Sequence, residues 1–455
     1  MKAPTLGLVS FLHGVRKEGF LAYVGRAWRR YGDCFQLRIG PRTLFFAMHP
    51  EAVERVNVAN RQGYDKLRSY DGVRKYILGQ GLVVSTGELW RRQRKLMAPF
   101  YTPKAVQEYA DVMIADGERM AARWDELARQ GVEVDMAEEM TRVTQAIILK
   151  SMFSTESMHS IDRMKEAVDT MLDFVASRMS SPLPDWVPTP KKRRHEAAQA
   201  FVRGAIRALV AERRAMAESE WPDDLLSRLM KARDEETGLP MAESLLHDES
   251  LTIFAAGHET TARTMTFAWY ALAANPHVAA RLHEELDGVL GGRTPTLDDL
   301  KQLPYTLRVV KEVLRLYPPA PFYARDAVQA DTIGGYDVPA GASVMLSPYY
   351  THRHPDFWED PEVFDPDRWT REREARRHPF AYHPFATGPR ICLGNNFSLL
   401  ESHILLAVLA QRFEPRLRPG FVPRWEMRGT LAIAGGLPMV IVPRSASAQR
   451  SAAAC

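Results

Sequence analysis

Phe385-Ala-Thr-Gly388-Pro-Arg390-Ile-Cys392-Leu-Gly394 leads straight into a helical pattern, Asn395-Asn-Phe397-Ser398-Leu-Leu-Glu401-Ser-His-Ile-Leu-Leu406. One cysteine stands between glycines at the start of a helix. Glycine lets a backbone fold tightly and approach a flat partner closely. The positive end of a helix and its free N–H groups favour a thiolate at that position. With no second Cys or His at ligand spacing, a tetrahedral zinc site cannot be completed. A single thiolate does suffice as the axial ligand of a haem iron. A lone cysteine is more often a small buried apolar residue, but the glycine and arginine spacing around Cys392 favours the ligand.

The chain has 455 residues, 45% apolar and 25% charged, with a formal net charge of +4. That is an ordinary globular balance, which excludes collagenous and broadly disordered chains. At roughly 150 residues per domain the length alone suggests about three domains, although large single folds reach this size. The three cysteines, Cys34, Cys392 and Cys455, are too far apart for a disulfide framework or a CxxC metal site. The basic clusters Trp90-Arg-Arg-Gln-Arg94-Lys95 and Lys191-Lys-Arg-Arg194 are short and read as solvated faces rather than a nucleic-acid surface. No stretch reaches the ~18 apolar residues of a membrane span. Leu6 to Leu12 lacks a clear cleavage site, so a soluble, cytoplasmic protein is expected.

Cys34–Ile39 and Thr43–Ala47 read as strands around Gly40-Pro41. Helical periodicity covers 104–129, 136–153, 158–180, 196–218 and 224–233, interrupted by a proline-rich loop over 182–190. A long helix follows from Met241 to Ala274, then Asn275 as N-cap and Pro276 open the next. Further helices are expected over 305–316 and 393–412, and a terminal hairpin over 430–443. The fold class is mainly α with a minor β portion. The β parts lie in 1–88, 318–350 and 430–443, and a helical body spans 89–317.

The ligand stretch resembles the haem-binding loop of the cytochrome P-450 superfamily, FxxGxRxCxG, through Phe385, Gly388, Arg390, Cys392 and Gly394, with Phe397 and Glu401 continuing the pattern. Three further signatures of that family follow the right order. Glu312 and Arg315 form an ExxR pair, and Pro366-Asp367-Arg368-Trp369 is similar to the PERF-like segment. The resemblance implies a structural network of Glu312, Arg315 and Arg368. Trp90 and Arg94 resemble the pair that holds a haem propionate, and by the same analogy Arg390, Arg325 and Lys66 are propionate ligands. Ala256-Gly257-His258-Glu259-Thr260-Thr261 matches the (A/G)Gx(D/E)TT pattern. It implies that Glu259 and Thr260 pass protons to iron-bound dioxygen. Gly257 and the threonine pair suggest a locally opened helix there; the bland reading is two threonines bonding back to carbonyls one turn earlier. His258-Glu259 and His195-Glu196 both fail the HExxH test, at Ala262 and Gln199.

The resemblance thus implies one haem domain over 1–455, with haem b on Cys392 and a monooxygenase acting on a hydrophobic fatty acid, terpenoid or steroid. By family position the substrate pocket draws on 67–83, 174–190, Phe254, Ala255, Phe322, Tyr323 and 432–437. The stretch after Cys392 is too short for a flavin domain, and Gly79-Gln-Gly81-Leu-Val-Val84 is no complete GxGxxG. Electrons are therefore expected from NAD(P)H through a ferredoxin and its reductase. Arg371, Arg373, Arg376 and Arg377, with the basic residues near Trp90, form a candidate docking face. A peroxide-driven or isomerising haem-thiolate enzyme is disfavoured by the acid–alcohol pair; a non-catalytic haem sensor is the rival of a different class.

Overall fold

Strands from opposite parts of the sequence meet in one sheet. In the computed structural model, which describes residues 1–155, 158–179, 186–234 and 236–444, six strands run in the order Thr5–Leu6, Cys34–Ile39, Arg42–Ala47, Ser343–Leu346, Tyr323–Ala327 and Tyr64–Asp65. The hairpin of Cys34–Ile39 and Arg42–Ala47 turns at Gly40, whose φ of 57° favours glycine. Alternation along it serves two cores. Phe35, Leu37 and Phe46 face one apolar cluster, while Cys34, Phe45 and Ala47 face another.

The helical body follows the periodicity closely. Met136–Phe153 has the expected bounds, and the stretch 104–129 divides into Pro103–Gln107 and Ala110–Gln130. The helix expected over 196–218 is Pro190–Ala215, because the Thr189 hydroxyl accepts from the Lys192 amide and Pro190 begins the first turn. Met158–Met179 and Leu225–Lys231 complete this part. The proline-rich loop lies partly outside the described residues.

Two expectations are corrected and a third is refined. The long helix, Glu243–Ala274, is unbroken at Gly257. The Thr260, Thr261 and Thr264 hydroxyls bond back to Ala256, Gly257 and Thr260 carbonyls at 2.9, 3.4 and 3.0 Å without opening it. Gly257 instead admits Ile148 of the neighbouring helix, whose Cδ1 would lie 2.6 Å from a Cβ. Asn275 stands at the N-cap position before Pro276, as expected, and its carbonyl accepts from the Val278 and Ala279 amides, but its side chain makes no capping bond and instead donates to the Ala271 carbonyl of the preceding helix at 2.8 Å. The tail is not one hairpin. Trp425–Arg428 pairs with Thr430–Ile433, whereas Pro438–Val440 joins Arg416–Leu417 and Glu133–Asp135. Gly435 and Gly436, at φ 82° and 83°, make the turn between the two sheets.

A buried ion pair ties the body to the loops beneath it. Glu312 and Arg315, on helix Pro304–Leu316, are both 0% exposed in their side chains and meet at 2.8 Å. Arg315 also donates to the carbonyls of His352, Pro361 and Val363. Glu312 accepts from the Asp365 amide and the Trp369 indole at 2.9 and 3.0 Å. Arg368 approaches Glu312 at 3.4 Å and donates to the carbonyls of Glu359 and Asp360. Glu312→Ala would leave Arg315 charged and unpaired, a change of about 3–5 kcal/mol. Denaturant unfolding should show that loss.

Candidate active site

The loop that carries Cys392 is shaped by two local constraints. Gly388 has φ +69°, and a Cβ there would meet the Asn57 carbonyl oxygen at 2.2 Å, so only glycine fits. The Cys392 amide donates to the Phe385 carbonyl at 2.8 Å and closes the loop. A Cβ at Gly394 would meet nothing within 4 Å, because that residue borders open space.

That space is a cavity of about 330 Å³ between the loop and the long helix. Cys392 is exposed to this cavity rather than to the outer surface. Burial raises its thiol pKa, while the Gly394 amide, Arg94 and Lys66 act in the opposite sense. Above it the helix presents a stripe, Thr252/Ile253, Ala256/Gly257, Thr260/Thr261 and Thr264, spaced as one helical face requires.

Four cations converge on the same cavity: Lys66, Arg94, Arg325 and Arg390. Arg94 donates to the Ile391 carbonyl at 2.7 Å, and Arg325 to the Ala324 carbonyl at 2.8 Å. Arg390 lies over the Trp90 ring at 4.1 Å, donates to the Ser85 carbonyl at 3.2 Å and pairs with Asp65. Lys66 donates to the Val83 carbonyl at 2.7 Å. Burial, then Arg325 and Arg390, push the Lys66 pKa well down. Burial likewise lowers that of Arg390 to about 10. Among the described residues Asp65 is the one carboxylate that pairs with any of them. A thiol on one face, cations at one edge and apolar walls elsewhere fit a flat dianionic haem. Cys392 would supply the thiolate ligand to its iron, and the four cations, with Trp90, would hold its carboxylates.

Several side chains fall elsewhere than expected. Phe254 and Ala255 do not line the cavity, because on the helix they lie between the stripe residues Ile253 and Ala256 and point away. Phe254 packs on His258 at 4.8 Å. Phe322 packs instead on Phe20 and Tyr350, at 5.3 and 5.9 Å. Tyr323 does line the cavity, its hydroxyl accepting from Asn57 at 2.9 Å. The segment 67–83 contributes Tyr70, Leu82 and Val83, but 432–437 and the described part of 174–190 contribute nothing. Glu259 also misses the cavity: its carboxylate accepts from Thr430 at 2.7 Å and lies 3.5 Å from Arg263.

Other groups carried little sequence signal. Met97, Tyr101, Ile148 and Met152 reach the cavity from helices whose patterns mark only a core. Asp248 and Glu249 fasten the Leu82–Val83 wall to the long helix. Asp248 accepts from the Gln80 amide at 2.8 Å, and Glu249 from the Leu82 amide at 3.0 Å. Burial pushes the Glu249 pKa up to about 8. Gly81 permits the approach, since a Cβ there would meet the Thr252 hydroxyl at 1.9 Å. Below the helix, Thr261 bonds Ser398 at 3.1 Å and the buried Glu401, whose carboxyl burial holds well above the usual range.

A family model described as "Cytochrome P450" matches residues 2–434. The chain is a cytochrome P450. Cyclooctatin synthase of Streptomyces melanosporofaciens is 36% identical over 419 residues, covering 91% of this chain and 89% of that one. Cyclooctat-9-en-7-ol 5-monooxygenase of the same organism is 34% identical, covering 93% of each. The crystal structure of cytochrome P450DA heme domain superposes with a TM-score of 0.91 at 27% identity over 98% of both chains. The P450 is a monooxygenase, and haem is the cofactor of its family. No helix among the described residues is long and apolar enough to cross a membrane.

The candidate docking face of this P450 is largely neutralised from within. Arg91 and Arg92 pair with Glu88 and Glu236, and Arg373 pairs with Asp365. Arg377 stacks on Trp358 and Trp369 at 4.2 and 4.5 Å. Arg371 and Arg376 remain exposed.

A charge-assisted hydrogen bond contributes about 1.5–3 kcal/mol. Arg94→Ala should therefore release haem to a competing apoprotein about tenfold or more faster than wild type.

Proposed function

We propose that this P450 hydroxylates a compact, largely hydrocarbon terpenoid, using electrons delivered by a separate ferredoxin-type protein. The observation that carries this reading is the wall opposite Cys392. Leu82, Val83, Ile148, Met152, Ile253 and Ala320 are apolar, and the cations of the cavity, Lys66 on the Val83 carbonyl among them, are the ones that would hold the haem carboxylates. A fatty acid gains nothing specific there, whereas a polycyclic hydrocarbon buries its whole surface at roughly 25 cal/mol per Å². The relatives named for cyclooctatin and cyclooctat-9-en-7-ol support the same class.

The haem, when bound, supplies dioxygen activation and C–H oxidation, with thiolate donation favouring O–O cleavage. The chain's own residues do the rest. Burial holds the Cys392 thiol pKa above its usual value, and the Gly394 amide, Arg94 and Lys66 offset part of that rise in favour of the thiolate. Thr260 carries a proton at Oγ1, held on the Ala256 carbonyl at 2.9 Å. Rotation away from that carbonyl presents the hydroxyl to the cavity. Glu259 lies outside the cavity and replenishes that proton only by leaving Thr430 and Arg263 and taking one up from water. Leu82 and Val83, held by Asp248 and Glu249, keep water off the substrate.

The test is a panel of terpenes, fatty acids and steroids offered to the haem-loaded protein with surrogate ferredoxin and reductase. Cyclic terpenoids should shift the haem from low to high spin and yield hydroxylated product, and Thr260→Ala should consume reductant with less product. A spin shift and product restricted to fatty acids would overturn the substrate class. Unchanged coupling in Thr260→Ala would overturn the proton route.

A further inference from the structure

The hairpin that opens the sheet ends beside a second cluster of ligand-type side chains, remote from the cavity. Asp33 precedes Cys34–Ile39, His49 follows Arg42–Ala47, and His354 follows the short helix Pro348–Thr351. One donor atom from each lies within 4.8 Å of the other two. We propose that Asp33, His49 and His354 bind a divalent transition metal of the zinc type, separate from the haem.

The donor set is two imidazoles and a carboxylate, which suits zinc and its neighbours. Metal–ligand bonds of about 2.0–2.1 Å in a tetrahedron place ligand atoms about 3.3 Å apart. His354 Nε2 and Asp33 Oδ1 are already 3.1 Å apart, so the His49 ring alone has to move inward. That ring is free to do so, its side chain being 28% exposed. Asp33 is 34% exposed, which leaves an entry path and room for water as a fourth ligand. Phe357 closes the other side, 5.1 Å from each imidazole.

The surroundings repeat. Each histidine begins the same His-Pro-acid pattern, His49-Pro50-Glu51 and His354-Pro355-Asp356. In each, the amide of the acidic residue donates to the histidine Nδ1, at 3.2 and 3.3 Å. In each, the carboxylate stands close to the same atom, Glu51 at 3.8 Å and Asp356 at 3.9 Å. An imidazole that ligates through Nε2 must carry its proton on Nδ1 and give it to an acceptor. In this geometry Nδ1 accepts from the amide, so metal binding at Nε2 moves the ring proton to Nδ1 and exchanges that bond for one to the carboxylate alongside, Glu51 or Asp356. Trp28 donates to Asp33 Oδ1 at 2.8 Å and fixes the carboxylate. Its bonds from His354 and Trp28 outweigh burial and keep Asp33 below the usual carboxylate range.

A metal here would staple the start of the sheet to the segment that braces Arg315. Thr351 already bonds the Met48 carbonyl, and His352 bonds that of Arg315. The test is equilibrium dialysis of the haem-loaded full chain against zinc, with zinc and iron measured per chain. Wild type should retain one zinc beside its iron and melt at higher temperature with zinc than without. His49→Ala should lose both effects while its haem spectrum stays unchanged, and Glu51→Gln should bind about tenfold more weakly. His49 is partly exposed, so its removal leaves the fold intact, unlike that of the buried His354. No retained zinc, or equal retention in wild type and His49→Ala, would overturn the site and leave two histidines that only accept amide bonds.

Discussion

Everything around Cys392 depends on one electrostatic constraint. Lys66, Arg94, Arg325 and Arg390 stand at one edge of an interior cavity, and Asp65 is the one described carboxylate paired with any of them. Like charges drawn together away from water repel, and each loses hydration. The depressed pKa values of Lys66 and Arg390 register that cost. The constraint is relieved by a ligand carrying two negative charges on a flat apolar body. The same cations act on the thiol, because Arg94 and Lys66 both favour its thiolate.

Holding this arrangement takes structure well away from it. The Gly388 turn fits only against the Asn57 carbonyl, so the ligand loop is registered on the segment that follows the first sheet strands. The buried pair Glu312–Arg315 gathers the carbonyls of His352, Pro361 and Val363 and the Trp369 indole beneath the helical body. On the other side of the cavity, adjacent carboxylates on the long helix hold the Leu82–Val83 wall. Such a network stabilises little over a well-packed apolar one, but losing one partner is severe. It is a device for position more than for stability.

The part of this design that was legible in the sequence is the part written in local spacing. The Cys392 loop, the Glu312–Arg315 pair and the Trp90 and Arg94 positions are contiguous motifs, and the structure brings their residues together. The helices 136–153 and 305–316 follow from apolar periodicity. What spacing does not encode is rotation and rotamer. Phe254 and Phe322 were assigned by position along the chain, yet the turn of the helix and the cluster around Phe20 point them elsewhere. Glu259 belongs to the motif, but Thr430, distant in sequence, holds its carboxylate. Gly257 marks close packing on Ile148 instead of an opened helix. Asp248 and Glu249 belong to no motif, and their partners, the Gln80 and Leu82 amides, are distant in sequence.

The central claim is that Cys392 bonds the metal of a haem held by these cations. X-ray absorption at the iron edge of the haem-loaded protein tests it most directly. One sulfur neighbour of iron in wild type, replaced by an oxygen or nitrogen in Cys392→Ser, is the predicted result. An iron with only nitrogen and oxygen neighbours in wild type, or an unchanged sulfur signal in Cys392→Ser, would contradict it.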